Sequence, residues 1–237
     1  KERYTSSDYM HQEWDKLWTK VWLLACREED LPEPGDHYVT EIGVESILLV
    51  RQKDMSIRAF YNVCQHRGNK LVHSFEQPQE AAQSFKCKYH DWEYGLDGGF
   101  VDIPDLETFP QGAPDCSGLA SLPCDTWGSF VWFSLNPDVE PLKDYLGIIP
   151  EHLNPYHFER MVLTKTLTVE WDCNWKASVD AFNESYHVQG IHPQLLYYLD
   201  DKDIQIDCYE KHNRYLIAFS VLSPRVIAPG EIPAPIK

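Results

Sequence analysis

Two short stretches each offer one thiol followed by one imidazole: Cys64-Gln65-His66-Arg67-Gly68 and, further on, Cys87-Lys88-Tyr89-His90-Asp91-Trp92. One residue separates the pair in the first stretch and two in the second. Downstream, Glu184-Ser185-Tyr186-His187-Val188-Gln189-Gly190-Ile191-His192-Pro193 sets a carboxylate and two imidazoles in one short run. Thiolate, imidazole and carboxylate are the protein's ligands for transition metals, and each selects a different class of ion.

Zinc is the first candidate for the Cys/His stretches. Structural zinc sites favour hooks in which two closely spaced cysteines grip one tetrahedral ion, and neither stretch has that form. One thiolate and one neutral imidazole from each loop suit a binuclear centre, with both cysteines on one iron and both histidines on the other. That is the Rieske [2Fe-2S] arrangement, in which His₂ in place of Cys₂ raises the reduction potential. Uncharged imidazoles leave their iron easier to reduce than anionic thiolates do. Gly68 and Gly95 stand where such loops need tight turns or a close backbone approach.

In the third stretch, Glu184 and His187 are three apart and share a face if the segment is helical. His187 and His192 are five apart, about 140° around a regular helix. A helix that ends or bulges near Gly190 brings His192 back beside His187, and Pro193 pushes His192 out of the helical region. Two imidazoles are two-thirds of the facial triad that holds non-haem ferrous iron with open positions for O₂. A one-electron store upstream implies an acceptor, and this stretch is the best candidate on the chain.

The elements that must position these groups fall into two kinds. Ser6 or Ser7 can cap a helix carrying Met10, Trp14, Leu17, Trp18 and Val21 on one apolar face, ending no later than Leu31-Pro32-Glu33-Pro34-Gly35. From His37 the pattern becomes short β-rich runs at 38–42, 47–51, 57–62, 93–96 and 127–135, as in a small antiparallel domain. Asp97-Gly98-Gly99 reads as a hairpin turn. Beyond Pro137, Pro141 and Pro150, the pattern predicts a strand over 162–171, a helix over 174–189, and strands over 204–209 and 214–221.

The chain has 237 residues, 43% hydrophobic and 24% charged, enough to bury a sizeable core. A formal net charge of −16 argues against nucleic acid as a partner. No run approaches the roughly 18 apolar residues of a membrane helix and no signal peptide opens the sequence, so a cytoplasmic protein without a membrane partner is expected. Of the seven cysteines, Cys26, Cys116, Cys124 and Cys173 have no histidine nearby and are expected as buried free thiols. Cys208 and His212 form only an isolated pair. The sequence starts at Lys1 without methionine and ends in the proline-rich stretch 228–237, which suggests a piece of something longer.

With these stretches in view, the sequence resembles the Rieske non-haem iron oxygenases, specifically the α (catalytic) subunit of ring-hydroxylating oxygenases. The resemblance takes in Trp22 through Leu31-Pro32 to Gly35-Asp36, both cluster loops, and Asn174-Trp175-Lys176 leading into the iron stretch. It implies an α+β fold in which a Rieske antiparallel β domain joins a helix-grip (START-like) catalytic domain, here with its C-terminal part incomplete. The implied divisions are 1–36, the N-terminal helix and lead-in loop of the catalytic domain; 37–155, the Rieske domain; and 156–237, part of the mononuclear iron domain.

Residue by residue, the resemblance makes Cys64, His66, Cys87 and His90 the cluster ligands and His187 and His192 two iron ligands. Glu184 matches the acid that bridges the iron to a neighbouring subunit's cluster. It further implies O₂ and a small aromatic or related hydrophobic substrate that is hydroxylated, dihydroxylated or demethylated, with electrons from NAD(P)H through a reductase or ferredoxin. A homotrimer or α3β3 assembly is the corresponding expectation. The sequence departs from the family pattern in four places. The family's third iron ligand is a carboxylate far beyond the histidines, and Asp200, Asp201, Asp203 and Asp207 follow too closely to match it. Glu184 stands for the usual aspartate, Ala181 for a common asparagine, and Asp91 for a frequent glycine. The competing readings are a Rieske electron carrier without catalysis of its own and a zinc-stabilised binding module.

Overall fold

A serine hydroxyl opens the first apolar-faced helix: Ser6 Oγ accepts the Tyr9 N–H at 3.3 Å, supplying one of the acceptors a helix start lacks. In the computed structural model, which describes residues 1–73, 81–112, 114–115 and 117–226, a short turn α1 (Glu2–Thr5) precedes α2 (Ser7–Glu13), which runs into a π-helical turn over Trp14–Trp18. The predicted single apolar face is only partly used. Trp14 packs into the core while Met10 and Leu17 stay exposed. By contacts, Met10–Lys165 form one compact unit, and Lys1–Tyr9 with Thr166–Lys237 form the other.

In the Met10–Lys165 unit the chain goes directly into a strand that the helical reading missed, β1 (Trp22–Arg27). There follow β2 (His37–Ile42), β3 (Glu45–Arg51), β4 (Ile57–Tyr61), β5 (Ser84–Lys86), β6 (Glu93–Gly95), β7 (Phe100–Asp102), β8 (Ser121–Leu122), β9 (Cys124–Trp127) and β10 (Phe130–Ser134). They form three antiparallel sheets, ordered β1-β10-β9, β2-β3-β4-β8 and β5-β6-β7. Gly43, at φ +58°, is one of the two residues turning β2 into β3. A side chain there would also strike the Trp14 ring.

Alternation along β3 explains how one sheet serves two cores. Leu48 and Val50 point, with Phe60, into a cluster containing Cys64, Cys87, Trp92 and Tyr94. Ile47 and Leu49 point, with Ala59, toward Cys26, Val131 and Phe133. Both faces of β3 are thus buried, which is why its sequence Ile-Leu-Leu-Val reads as a continuous apolar run. Two short helices, α3 (Leu142–Leu146) and α4 (Ile149–Leu153), follow, and Leu142 and Leu146 pack on Trp22.

The expected strand over 162–171 does not form: no neighbouring strand among the described residues pairs with it, and Val162, Leu163, Leu167, Val169 and Trp171 are exposed. In the second unit the helix expected over 174–189 stops early, as α5 (Trp175–Phe182), capped by Asn174, whose side chain accepts the Lys176 N–H. A one-turn α6 (Val188–Ile191) and an antiparallel hairpin of β11 (Leu199–Cys208) and β12 (Asn213–Phe219) complete it. Val188, Leu196 and Leu199 are its buried core, with Ile217 packed against them. The first nine residues belong here because Arg3 pairs with Asp180 at 2.7 Å and the Lys176 ammonium faces the Tyr4 and Tyr9 rings.

The cysteines divide more finely than expected. Cys26 is buried and Cys124 half-buried, whereas Cys173 and Cys208 are exposed. The Cys173 expectation fails because its segment carries no sheet to cover it. Cys116 and the stretch 228–237 lie outside the described residues.

Candidate metal centres

The two Cys/His loops are copies of one backbone design. In the first, the Cys64 N–H donates to the Asn69 carbonyl at 2.8 Å and the Gly68 N–H to the Cys64 carbonyl at 2.9 Å. In the second, the Cys87 N–H donates to the Trp92 carbonyl at 2.8 Å and the Asp91 N–H to the Cys87 carbonyl at 3.0 Å. Each cysteine is therefore pinned to the residues four and five positions on. Closing such a turn requires a left-handed residue at the fourth position, filled by Gly68 at φ +71° and Asp91 at φ +58°. This is the physical reason a glycine is at home at position 91, and aspartate is among the few residues that tolerate that region. Gly95 has no such role. It lies in β6, and the positive-φ turn residue of that hairpin is Gly98, at φ +82°.

The donor groups separate by type. Both cysteines are buried, with Sγ atoms close enough to hydrogen-bond each other. The His66 and His90 rings lie 4.6 Å apart between centroids, His66 half-buried and His90 exposed. Trp92 stacks on His66 at 4.8 Å and 8°, and the Tyr89 ring lies 3.9 Å from that of His90. Among the described residues no three His, Cys, Asp or Glu side chains converge on a single ion. A thiol pair inside and an imidazole pair outside fit a two-iron cluster, its histidine side toward the surface, better than one zinc.

Hydrogen bonds tune the sulfurs. The Tyr94 hydroxyl sits 3.1 Å from Cys64 Sγ while accepting the Gln65 N–H at 2.9 Å. Burial pushes the Cys64 thiol up, with Tyr94 and the His66 backbone N–H offsetting part of that. Burial acts on Cys87 in the same sense, but the backbone N–H groups of Tyr89 and His90, with Cys64 and Asn69, outweigh it and leave that thiol below its ordinary value. Burial, His90 and Arg67 all lower His66, favouring the neutral ring a metal needs. Sequence reasoning did not find Tyr94, Trp92 or Asn69. The signal was available for two of them, because Trp92, just before β6, and Tyr94, within it, sit two apart and so fall on one side of an extended chain, the side packed with Cys64 and Cys87.

The second site belongs to the other unit. Glu184 and His187 do meet, but not on a helix face, because α5 has already ended at Phe182 and they sit in the turn before α6. Glu184 Oε1 bonds His187 Nδ1, and Glu184 Oε2 accepts the His187 N–H at 3.2 Å. The hydrogen bond to His187 holds the Glu184 carboxyl below its ordinary value. The helix does end beside Gly190, at Ile191, and a further break upstream of His187 separates α6 from α5. The helix closes at His192, whose N–H reaches the Val188 carbonyl at 2.9 Å and whose φ of −126° precedes Pro193. The two imidazoles end 5.4 Å apart between centroids at 78°. With Nδ1 of His187 held by a carboxylate, Nε2 is the nitrogen left for a metal.

The nearby aspartates have other partners. Asp201 is held by Ser223 and Arg225, Asp207 by Arg214 at 2.8 Å, and Asp200 by the N–H groups of Lys202 and Asp203. Among the described residues the site therefore presents two imidazoles and a carboxylate that is engaged by one of them.

Comparison with known proteins places the chain's two parts in known domain families. The family model for the Rieske [2Fe-2S] domain matches residues 21–123, and that for the ring hydroxylating alpha subunit (catalytic domain) matches residues 158–226. The carnitine monooxygenase oxygenase subunit of Acinetobacter pittii is 28% identical over 208 residues, covering 87% of this chain and 54% of that protein. The large oxygenase component of the naphthalene 1,2-dioxygenase system of Pseudomonas aeruginosa is 32% identical over 198 residues, covering 80% and 43%. A crystal structure of a quaternary ammonium Rieske monooxygenase with an inhibitor superposes with a TM-score of 0.82 at 25% identity, over 90% of this chain and 60% of that one. The chain spans about half the length of the curated relatives it matches. A mixed α+β chain carrying both domain types in the family's order belongs to the Rieske non-haem iron oxygenases, among their α, catalytic subunits.

Proposed function

We propose that the protein is the terminal oxygenase of an electron-transfer system, with Cys64, His66, Cys87 and His90 holding a [2Fe-2S] cluster and His187 and His192 holding ferrous iron. The observation that carries this reading is the separation of donors, two thiols within and two imidazoles without, on one chain with a carboxylate-backed histidine pair. When bound, the cluster passes single electrons and the iron offers open positions for O₂. The chain's own part is positional. Trp92 fixes the plane of His66, Tyr94 and Asn69 donate toward the cysteine sulfurs, and Glu184 fixes the tautomer and rotation of His187. The histidine pair argues against a carrier with no chemistry of its own.

The electrons come from NAD(P)H through a reductase or ferredoxin. Glu184 reaches from His187 toward His90 of an adjacent subunit in a homotrimer or α3β3 assembly, and a carboxylate outside the described residues completes the iron site as its third ligand. The substrate is a small organic molecule that is hydroxylated, dihydroxylated or demethylated. Relatives named for carnitine, glycine betaine and naphthalene set the two classes to try, quaternary ammonium and aromatic. The setting is cytoplasmic; among the described residues no helix is long and apolar enough to cross a membrane.

The test joins metal analysis to turnover. Reduced full-length protein is expected to show a rhombic Rieske EPR signal, and His66→Cys to alter it because an anion replaces a neutral ligand. Substrate-dependent O₂ uptake across both compound classes then reports catalysis. Zinc without iron or sulfide overturns the cluster, and a full cluster with no mononuclear iron leaves only the electron carrier.

A further inference from the structure

The turn that carries Glu184 and His187 is tied down at one buried point. Ser185, 4% exposed, donates its hydroxyl to the backbone carbonyl of Asp201 at 2.9 Å. That carbonyl sits where the β11–β12 register breaks, between Asp200 and Ile204, so its position is not set by the sheet ladder. It is set by its own side chain. The Asp201 carboxylate accepts the Ser223 hydroxyl at 2.5 Å and the Arg225 guanidinium, and the Ser223 N–H in turn donates to the Leu196 carbonyl at 2.8 Å. A relay of polar groups thus runs from half-buried Arg225 and buried Ser223 through buried Asp201 to Ser185, which lies in sequence between the two residues of the Glu184–His187 contact.

We infer that Ser185 is a positioning residue for the histidine metal site, holding the 183–187 turn so that the Glu184 carboxylate stays on His187 Nδ1. The inference rests on the iron-site reading above. Between Phe182, where α5 ends, and Val188, where α6 begins, the backbone ties are the Asn183 N–H to the Asp180 carbonyl and the Val188 N–H to the Ser185 carbonyl, and at the iron end Glu184 and Ser185 add side-chain ties, of which only that of Ser185 reaches outside the turn, to the Asp201 carbonyl. Without the Ser185 hydroxyl the turn loses its buried anchor. The Asp201 carbonyl then loses a donor in a site from which water is excluded.

The experiment uses full-length protein with its cluster oxidised and therefore EPR-silent, its mononuclear iron removed by a chelator, and Co²⁺ added as the probe. Ser185→Ala is expected to weaken Co²⁺ binding by about three- to tenfold, less than the 10–100-fold typical of losing the partnering carboxylate itself, and to shift the high-spin Co²⁺ signal. Ile217→Val, which trims the same small core at a stability cost of similar order, is expected to leave affinity and signal unchanged. Wild-type affinity and signal in Ser185→Ala overturn the inference. Equal loss in Ile217→Val reduces the effect to general stability and overturns it too. If the unsubstituted protein binds no stoichiometric Co²⁺, or binding survives His187→Ala, the iron-site reading itself fails.

Discussion

Tyr94→Phe isolates one hydrogen bond to a cluster ligand. The tyrosine is fully buried, and phenylalanine fills the same ring volume, so packing is left alone. What goes is the hydroxyl, 3.1 Å from Cys64 Sγ and 2.9 Å from the Gln65 nitrogen. Because the Gln65 N–H occupies the oxygen as acceptor, the phenolic hydrogen is free to point at sulfur. A bond to a charged acceptor contributes about 1.5–3 kcal/mol, and the sulfur carries more negative charge after the cluster is reduced. If about 1 kcal/mol of that bond is specific to the reduced state, a one-electron couple at 59 mV per tenfold gives a fall of about 40 mV in potential. The orphaned Gln65 N–H costs about 1–3 kcal/mol of stability besides. A redox titration followed by EPR of the reduced cluster measures the first and urea unfolding the second. An unchanged or raised potential would refute the assignment of Tyr94 as a donor to the thiolate.

Glu184→Gln should leave both metal sites largely filled and the cluster reducible, yet slow substrate-dependent oxidation of pre-reduced protein at least about tenfold; a wild-type single-turnover rate removes Glu184 from the electron path. Burial raises the Asp201 carboxyl, but Ser223 and Arg225 more than compensate, leaving it below the ordinary aspartate value. Its contribution to stability is therefore complete above about pH 4 and lost as pH falls further. Asp201→Asn should cost about 1–3 kcal/mol at neutral pH and flatten acid unfolding below pH 4; parallel curves for the two proteins count against this. Asp91→Gly should raise stability by up to about 1 kcal/mol by relieving a left-handed residue, with the EPR signal unchanged, whereas Asp91→Val should lower it; equal midpoints for all three refute the strain argument. Burial pushes the Cys26 and Cys124 thiols up to about 12, so an alkylating agent at pH 8 should modify exposed Cys173 and Cys208 first, and mass mapping that finds Cys26 among the first fails the prediction.

The pairing of two thiols with two imidazoles was legible because it is written locally: the Cys-x-His and Cys-x-x-His spacings single out Cys64, His66, Cys87 and His90, and the fold brings the two loops together. The β2, β3 and β4 runs were legible through their apolar patterning. What escaped was set by distant partners. β1 was read as the tail of a helix because Trp22, Leu23 and Leu24 suit either state, and only β10, over a hundred residues on, decides between them. The strand anticipated over 162–171 failed for the converse reason, apolar alternation without a partner. The helix end beside Gly190 was legible, but the earlier break before His187 was missed, because Asn183 is a weaker stop signal than glycine and the Ser185 anchor depends on a residue sixteen positions away.

The pairing of β1 with β10 also orders events in time. Ser134 Oγ bonds the Val21 carbonyl across 113 positions, and at synthesis rates of about 5–20 residues per second the later strand emerges on the order of ten seconds after the earlier one. Both cysteine loops are made inside that interval. They leave the ribosome as bare thiols on an unclosed sheet, open to oxidation or to the wrong ion. Arg3 waits longer still, since Asp180 lies 177 positions on. Such separations make for slow, non-local folding, so iron and sulfide must either arrive after closure or act as the template around which the two loops first come together.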